Sequence, residues 1–292
     1  MADLVPDQSG EVEADGQRIY WERFGRGDRE TICLLNGLAM HTKAWYGFVP
    51  LLADEYDVLL WDYLGQGSSS CPDIPYEIPR FCDYLTMIAD GLGIAKLHLM
   101  GISYGGFVGL DFARRYQERL LTLTVSGILL SHEELFRMYE DISLRFYRSS
   151  LEVFELYTQY MYEKIFGERF VLKVRGSLDG MRARFFDRFK DARHCLIRLT
   201  EAQDPFFAAL DGRLPEYRAI RTPTLIMAGA EDRAIPPWVQ QKLCGILPNH
   251  RFELVAGSGH CVYIERPDVF FGNLKRFAGA RSLSFEGVTG AS

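Results

Sequence analysis

The stretch LHLMGISYGGFVGL, residues 97–110, places a hydroxyl between glycines at the close of an apolar run. Leu97 to Gly101 reads as a strand and the residues from Phe107 as a helix, so Gly101-Ile102-Ser103-Tyr104-Gly105 marks a sharp strand-to-helix turn. A serine at such a turn sits in an unfavourable backbone conformation, and its neighbours two positions away must lack a Cβ. The turn lifts Oγ clear of the sheet and sets the free N–H groups of the helix start behind any developing negative charge. Ser103 therefore reads as a nucleophile, with Gly106 adding room for close packing. The competing reading is a structural glycine turn. A serine alone cannot perform acyl chemistry, so the rest of the chain must supply a base, an acid that orients the base, and donors for the oxyanion.

Outward from the elbow the pattern alternates. EVEADGQRIYWERFG reads as a hairpin about Asp15-Gly16, TICLLNG (31–37) as a buried strand, KAWYGFVPLLADEY (43–56) as a helix and DVLLWD (57–62) as a strand. RFCDYLTMIADGLGI (80–94) is helical, FVGLDFARRY continues as a helix after the elbow, and LLTLTVSGILL (120–130) is a strand. Between 131 and 217 no strand is convincing, and Leu135, Met138, Ile142 and Phe146 keep a helical interval. The rhythm then resumes with TPTLIMAG (222–229), the helix WVQQKLCGIL, the strand RFELVAG (251–257) and a helix from about Arg266 to Phe277. Strands alternating with helices of this length predict an α/β fold, a mostly parallel sheet covered on both faces. The expected organisation is a core over 11–130 and 218–280, a helical insertion over 131–217, and a flexible tail over 281–292.

The bulk numbers exclude several classes. At 292 residues, 48% hydrophobic and 25% charged, the chain has the composition of an ordinary globular protein. A formal charge of −6 opposes nucleic-acid binding, and the basic stretch 173–193 is interrupted by Asp179, Asp187 and Asp191, as on a solvated helix face. The acidic start MADLVPDQSGEVEADG resembles neither a secretory signal nor a transit peptide, and no uncharged apolar run reaches the ~18 residues a membrane span needs. The cysteines (33, 71, 82, 195, 244, 261) show no CxxC pair and the histidines no HxxxH pair. Buried free thiols, a cytoplasmic location, and no metal or cofactor are expected.

With these motifs in place the chain resembles the α/β-hydrolase family from about residue 18 to 278. Asp62-Tyr63-Leu64-Gly65-Gln66-Gly67-Ser68-Ser69 resembles the family's D-x-x-G-x-G-x-S loop. Gly229-Ala230-Glu231-Asp232 with Pro236 resembles the turn that bears the acid, and Gly259-His260 with Glu265 and Pro267 the stretch that bears the base. The resemblance implies a triad of Ser103, Asp232 and His260, in the chain order this fold uses. All three then project from the carboxyl edge of the sheet, where His260 can take the Ser103 proton while Asp232 orients the imidazole. Glu231 would serve as the acid if the turn were shifted by one residue. His98 is expected to face the core, and His41, beyond the 31–36 strand, is placed to line a pocket.

The resemblance also assigns the oxyanion hole to the backbone N–H groups of Tyr104 and Leu38, with Gly37 shaping the turn. Most relatives have His-Gly where this chain has Asn36-Gly37, a departure expected to change the bracing of the loop. That Asn-Gly loosely resembles hydroxyacyl-carrier-protein acyltransferases of the same fold. In this fold an insertion after the 120–130 strand is a cap, or lid, over the site, and its Phe136, Tyr139, Phe146, Tyr147, Phe154, Tyr157, Tyr160 and Met161 suggest an apolar cavity. Asn36, Gly37, Phe136, Tyr139, Phe146 and Tyr157 are the expected pocket residues. The expected activity is that of a serine hydrolase, cleaving a hydrophobic carboxylic ester or thioester through an acyl-enzyme. The alternatives are an acyltransferase working from an acyl carrier protein or CoA thioester, and a ligand receptor on the same fold.

Overall fold

The computed structural model describes residues 4–288. An eight-stranded sheet runs in the order β1-β2-β4-β3-β5-β6-β7-β8, where β1 is Gln8–Ala14, β2 Gln17–Phe24, β3 Thr31–Leu35, β4 Asp57–Trp61, β5 Leu97–Ile102, β6 Leu120–Ser126, β7 Thr224–Gly229 and β8 His250–Val255. β1 and β2 form the expected hairpin; Asp15 and Gly16 both take positive φ, the requirement of a tight turn matched to strand twist. β2 meets β4 antiparallel, and every later pairing is parallel. β3, β4, β5 and β7 are buried at every residue, as strands covered on both faces must be.

Alternate side chains of these strands feed two cores. Cys33, Leu35, Leu123, Val125 and Ile226 pack with Phe81, Leu85, Phe107 and Leu110 from α1 (Ile78–Gly91) and α2 (Tyr104–Tyr116). Ile32, Leu34, Met100, Leu225 and Met227 pack on the other face with Trp45, Val49 and, from α12 (Pro267–Ala280), Phe270, Phe271 and Phe277. The chain passes from β3 to β4 on one side and then to β5 on the other. Such a reversal opens a crevice beyond the carboxyl ends of β3 and β5, the place where ligands bind in sheets of this kind.

Between β6 and β7 lie α3 (Glu134–Arg148), α4 (Leu151–Ile165), α5 (Glu168–Val174), α6 (Leu178–Phe189), α7 (Arg193–Glu201), α8 (Gln203–Ala208) and α9 (Leu210–Arg218). They keep a small core of their own from Tyr147, Phe154, Tyr157, Phe189 and Leu196. After β7 come the short helices α10 (Pro237–Gln240) and α11 (Val262–Glu265), which flank β8. Among the described residues no helix is long and apolar enough to cross a membrane.

Several expectations are corrected. Residues 43–56 form two short 3-10 turns rather than one helix, since Gly47 and Pro50 interrupt it. β6 stops at Ser126, because Gly127 turns the chain at φ 65°. Within the expected tail, Leu283 and Phe285 pack against the α12 core, and Arg251 Nη1 donates to the carbonyls of Leu283 (3.1 Å) and Phe285 (2.6 Å). The last four residues lie outside the described ones. Cys71 and Cys195 are not free thiols but a disulfide, with Cα atoms 6.3 Å apart, that ties α7 to the segment after β4. The two stand 124 positions apart, so nothing local announces the pair, and the cysteines no longer argue for a reducing compartment. Cys33 and Cys82 are buried free thiols.

Candidate active site

Ser103 sits between β5 and α2 with φ 50° and ψ −120°, a conformation rare for any residue with a Cβ. The strain, of order 1–3 kcal/mol, persists because the turn is held from several sides. Ser103 N–H donates to Ser126 O at 2.8 Å, and Gly106 N–H donates to Ser103 O at 2.7 Å. A Cβ at Gly105 would stand 2.6 Å from Leu35 O, and one at Gly101 would collide with Gly105 O, so the two flanking glycines are obligatory.

His260 follows β8. Its Nδ1 is 2.8 Å from Asp232 Oδ2, which fixes the ring and leaves Nε2 turned to its other side. Asp232, buried, is itself held: Oδ1 accepts from Ala234 N–H (2.9 Å) and Ile235 N–H (2.8 Å), and Oδ2 also accepts from Gln240 Nε2 (3.0 Å). Gln240 Oε1 in turn accepts from Gly127 N–H at 2.9 Å. Gly127 must be a glycine, since a Cβ there would stand 2.6 Å from His260 Cε1. Burial pushes the imidazole pKa down, but the charge and hydrogen bond of Asp232, aided by Glu265, outweigh it and the pKa ends above the ordinary histidine value.

The helical insertion braces this loop. His260 N–H donates to Ile165 O at 2.8 Å, and Glu265 accepts from Gly259 N–H (2.9 Å) and Gly167 N–H (3.0 Å). Glu231 does not reach the imidazole; its Oε2 accepts from Glu168 N–H at 2.9 Å, again holding the insertion to the core. Sequence patterns placed Glu265 beside the histidine without this role, and they missed Gln240, whose position eight residues after Asp232 has meaning only in three dimensions.

The loop after β3 carries the departure from the usual pattern. Asn36 is fully buried and does not line the cavity, contrary to expectation. Its Oδ1 accepts from Trp45 Nε1 (2.7 Å), and its Nδ2 donates to Trp61 O (3.0 Å) and Asp62 Oδ1 (3.3 Å). It thus braces the loop from behind. Asp62 also accepts from the N–H groups of Thr42 (2.8 Å) and Ser68 (2.9 Å), and Gln66 Nε2 donates to Gly37 O at 3.0 Å. Burial raises the Asp62 pKa to about 6 against the opposing pull of those N–H groups. Replacing Asn36 by alanine strands the Trp45 N–H and removes a donor from Asp62; the expected loss is roughly 2–3 kcal/mol of unfolding free energy, read by urea denaturation of the purified variant.

Ser103 and His260 line one cavity of about 290 Å³, walled by Gly37, Leu38 and Met40 on the core side and by Phe136, Tyr139, Tyr157 and Met161 from the insertion. Tyr104 lines it too. Phe146 does not; it faces Tyr157 and Tyr160 inside the insertion, because its helical interval is shared by the packing core. Among the described residues no hydrogen bond joins Ser103 Oγ to His260 Nε2; such contacts often close only around a substrate. His98 is buried against Thr122 Oγ1 (2.8 Å) and Glu30 Oε2 (3.1 Å), with burial lowering its pKa to about 4. His41 lies outside the cavity lining, and burial, with Arg188 and Lys43, lowers its pKa likewise to about 4. One trio of metal-ligand type, Cys71, His194 and Cys195, gathers among the described residues, and the disulfide takes both its sulfurs.

The sequence family described as "alpha/beta hydrolase fold" matches residues 30–267. The chain is 25% identical over 261 residues to the "Putative carbamate hydrolase RutD" of Azorhizobium caulinodans; the match covers 89% of this chain and 95% of that protein. It is 26% identical over 278 residues to the 2-hydroxy-6-oxononadienedioate/2-hydroxy-6-oxononatrienedioate hydrolase of Escherichia coli K12, covering 89% and 91%. Among solved structures, MGS-M2, an alpha/beta hydrolase enzyme from a Medee basin deep-sea metagenome library, superposes with a TM-score of 0.84 at 24% identity over 92% of this chain and 97% of that one. That likeness concerns the fold.

Proposed function

The chain belongs to the alpha/beta hydrolase fold family, its relatives support hydrolysis as the class of reaction, and from that premise we propose that it cleaves a carboxylic ester or thioester with an apolar acyl part through an acyl-enzyme on Ser103. The observation that carries the reading is the pairing, across one apolar cavity, of a strained serine at a helix start with a histidine already bonded to a buried aspartate.

Ser103 Oγ attacks the carbonyl carbon and passes its proton to His260 Nε2. The N–H groups of Tyr104 and Leu38 take the negative charge that gathers on the carbonyl oxygen. Collapse of the tetrahedral species expels the alcohol or thiol, which receives the proton from His260. Water then attacks the acyl-serine by the same route, delivering its proton through His260 to Ser103 and releasing the acid. Asp232 holds the imidazole in the tautomer with hydrogen on Nδ1. The helical insertion acts as the cap that supplies the apolar wall, and the core over 11–130 and 218–280 supplies the chemistry.

A fluorophosphonate probe is expected to label the protein at Ser103, read by mass spectrometry of the labelled peptide. Across nitrophenyl esters from acetate to octanoate, kcat/KM is expected to rise with chain length, by up to about 0.8 kcal/mol per buried CH2. A steady fall over that series removes the apolar-acyl part of the reading, and absence of labelling removes the serine mechanism and leaves a ligand-binding role.

A further inference from the structure

One wall of the cavity, where α3 packs against α7 and the chain turns into α8, is not apolar. Three residues lining the cavity, Tyr104 from α2, Glu140 from α3 and Thr200 from α7, carry a buried polar atom with no hydrogen-bond partner: Tyr104 OH, Glu140 Oε1 and Thr200 Oγ1. Tyr104 is 2% exposed and Thr200 4%, so these atoms are not met by bulk water. Glu140 is half-buried as a residue, but Oε1 is sealed from solvent. Unmet buried groups cost roughly 1–3 kcal/mol each, and of the thirteen such side-chain atoms among the described residues these three gather at one cavity. Three around one cavity point to a ligand that meets them.

The chemistry of that ligand follows from the three atoms and their surroundings. A carboxylate oxygen and two hydroxyl oxygens can all accept hydrogen bonds. Among the described residues that line the cavity there is no lysine or arginine to neutralise Glu140. The charged groups around it are acids, Asp141 on its own helix and Asp204 on α8, while Arg148 is paired with Glu201 at 2.6 Å. A primary ammonium has three donors and no acceptor, and it brings the missing positive charge. Tyr104 and Phe136 add aromatic surface of the kind cations favour.

We infer that Glu140, with Thr200 and the Tyr104 hydroxyl, forms a subsite for a protonated primary amine, so that the substrate is an ester or thioester whose apolar chain ends in an alkylammonium group. This rests on the hydrolase reading and narrows its substrate. In the empty cavity, burial, with Asp204 and Asp141, holds the Glu140 pKa up to about 8. The carboxyl is therefore largely protonated at neutral pH, and an arriving ammonium drives it to ionise and release a proton.

The test compares nitrophenyl ω-aminohexanoate with nitrophenyl heptanoate, chains of matched length. Wild-type protein is expected to favour the amino ester by roughly tenfold or more in kcat/KM, and Glu140→Gln to lower that ratio by roughly thirtyfold or more. In parallel, calorimetry of hexylammonium binding to wild-type protein at neutral pH, in buffers of differing ionisation enthalpy, is expected to show proton release. A ratio near one in the wild type, or a ratio unmoved by Glu140→Gln, overturns the subsite while leaving the hydrolase reading intact. Where neither ester is cleaved the hydrolase reading falls, and calorimetry decides the subsite alone: binding with proton release sustains it, and no binding ends it. The wild-type measurement also decides the matter if the Gln variant fails to fold.

Discussion

Replacing Ser103 with alanine is expected to lower kcat on the best nitrophenyl ester by roughly four to six orders of magnitude. Removing Oγ deletes the bond-forming atom, while the cavity, the backbone donors and the His260–Asp232 pair stay in place. The residual rate is what binding and the oxyanion hole supply without a nucleophile. Alanine keeps the Cβ and meets the same positive φ as serine, so the thermal midpoint is expected to stay close to that of the parent. The measurement is steady-state hydrolysis by the purified variant, with circular dichroism to establish folding and fluorophosphonate labelling to establish loss of the site. Near-parental turnover in a folded, unlabelled variant would falsify the acyl-enzyme.

Asp232→Asn is expected to lower kcat by about three to four orders of magnitude. The asparagine keeps the shape of the carboxyl but can present an N–H to Nδ1, favouring the wrong tautomer. The pH profile separates this electrostatic role from a structural one. The imidazole must be neutral to accept the Ser103 proton, so kcat/KM falls as pH drops through its pKa. In the parent that pKa stands above the ordinary histidine value, because Asp232 outweighs the opposing effect of burial. The acid limb is therefore expected above the usual imidazole range of about 6.5. Without the carboxylate, burial is left as the largest influence, and the acid limb of the residual activity is expected to move to lower pH. A variant that loses activity with its acid limb unmoved would mean that Asp232 only holds the loop. Glu231 is not placed to take over, since its carboxylate is bonded to Glu168 N–H.

Most of the core was legible in the chain. Asp15-Gly16 announced the hairpin, and strand-length apolar runs announced β3 to β7. The glycines at 101 and 105 announced a turn too tight for a Cβ, which would meet Gly105 O at the first and Leu35 O at the second. Less legible were residues 42–51, where an apolar spacing suited to a helix is cut by Gly47 and Pro50 into 3-10 turns. Within the insertion the same aromatic spacing served two ends. Tyr139 and Tyr157 reach the cavity while Phe146 turns inward to Tyr160, and periodicity cannot tell a wall from a core when both are apolar.

By itself the sequence determined the order of strands and helices and the residue types able to do acyl chemistry, because hydrophobic period, turn residues and short motifs act over a few neighbouring positions. Tertiary structure alone decided that Asn36 stands behind the loop, that Gln240 and Gly127 hold the Asp232–His260 pair, and that the insertion's Ile165 and Gly167 support the histidine loop. It also decided that Cys71 meets Cys195 and that Glu140 lies in the cavity without a partner. Each of these depends on which distant segments pack together, and a side chain's surroundings there are set by the whole fold rather than by its neighbours along the chain.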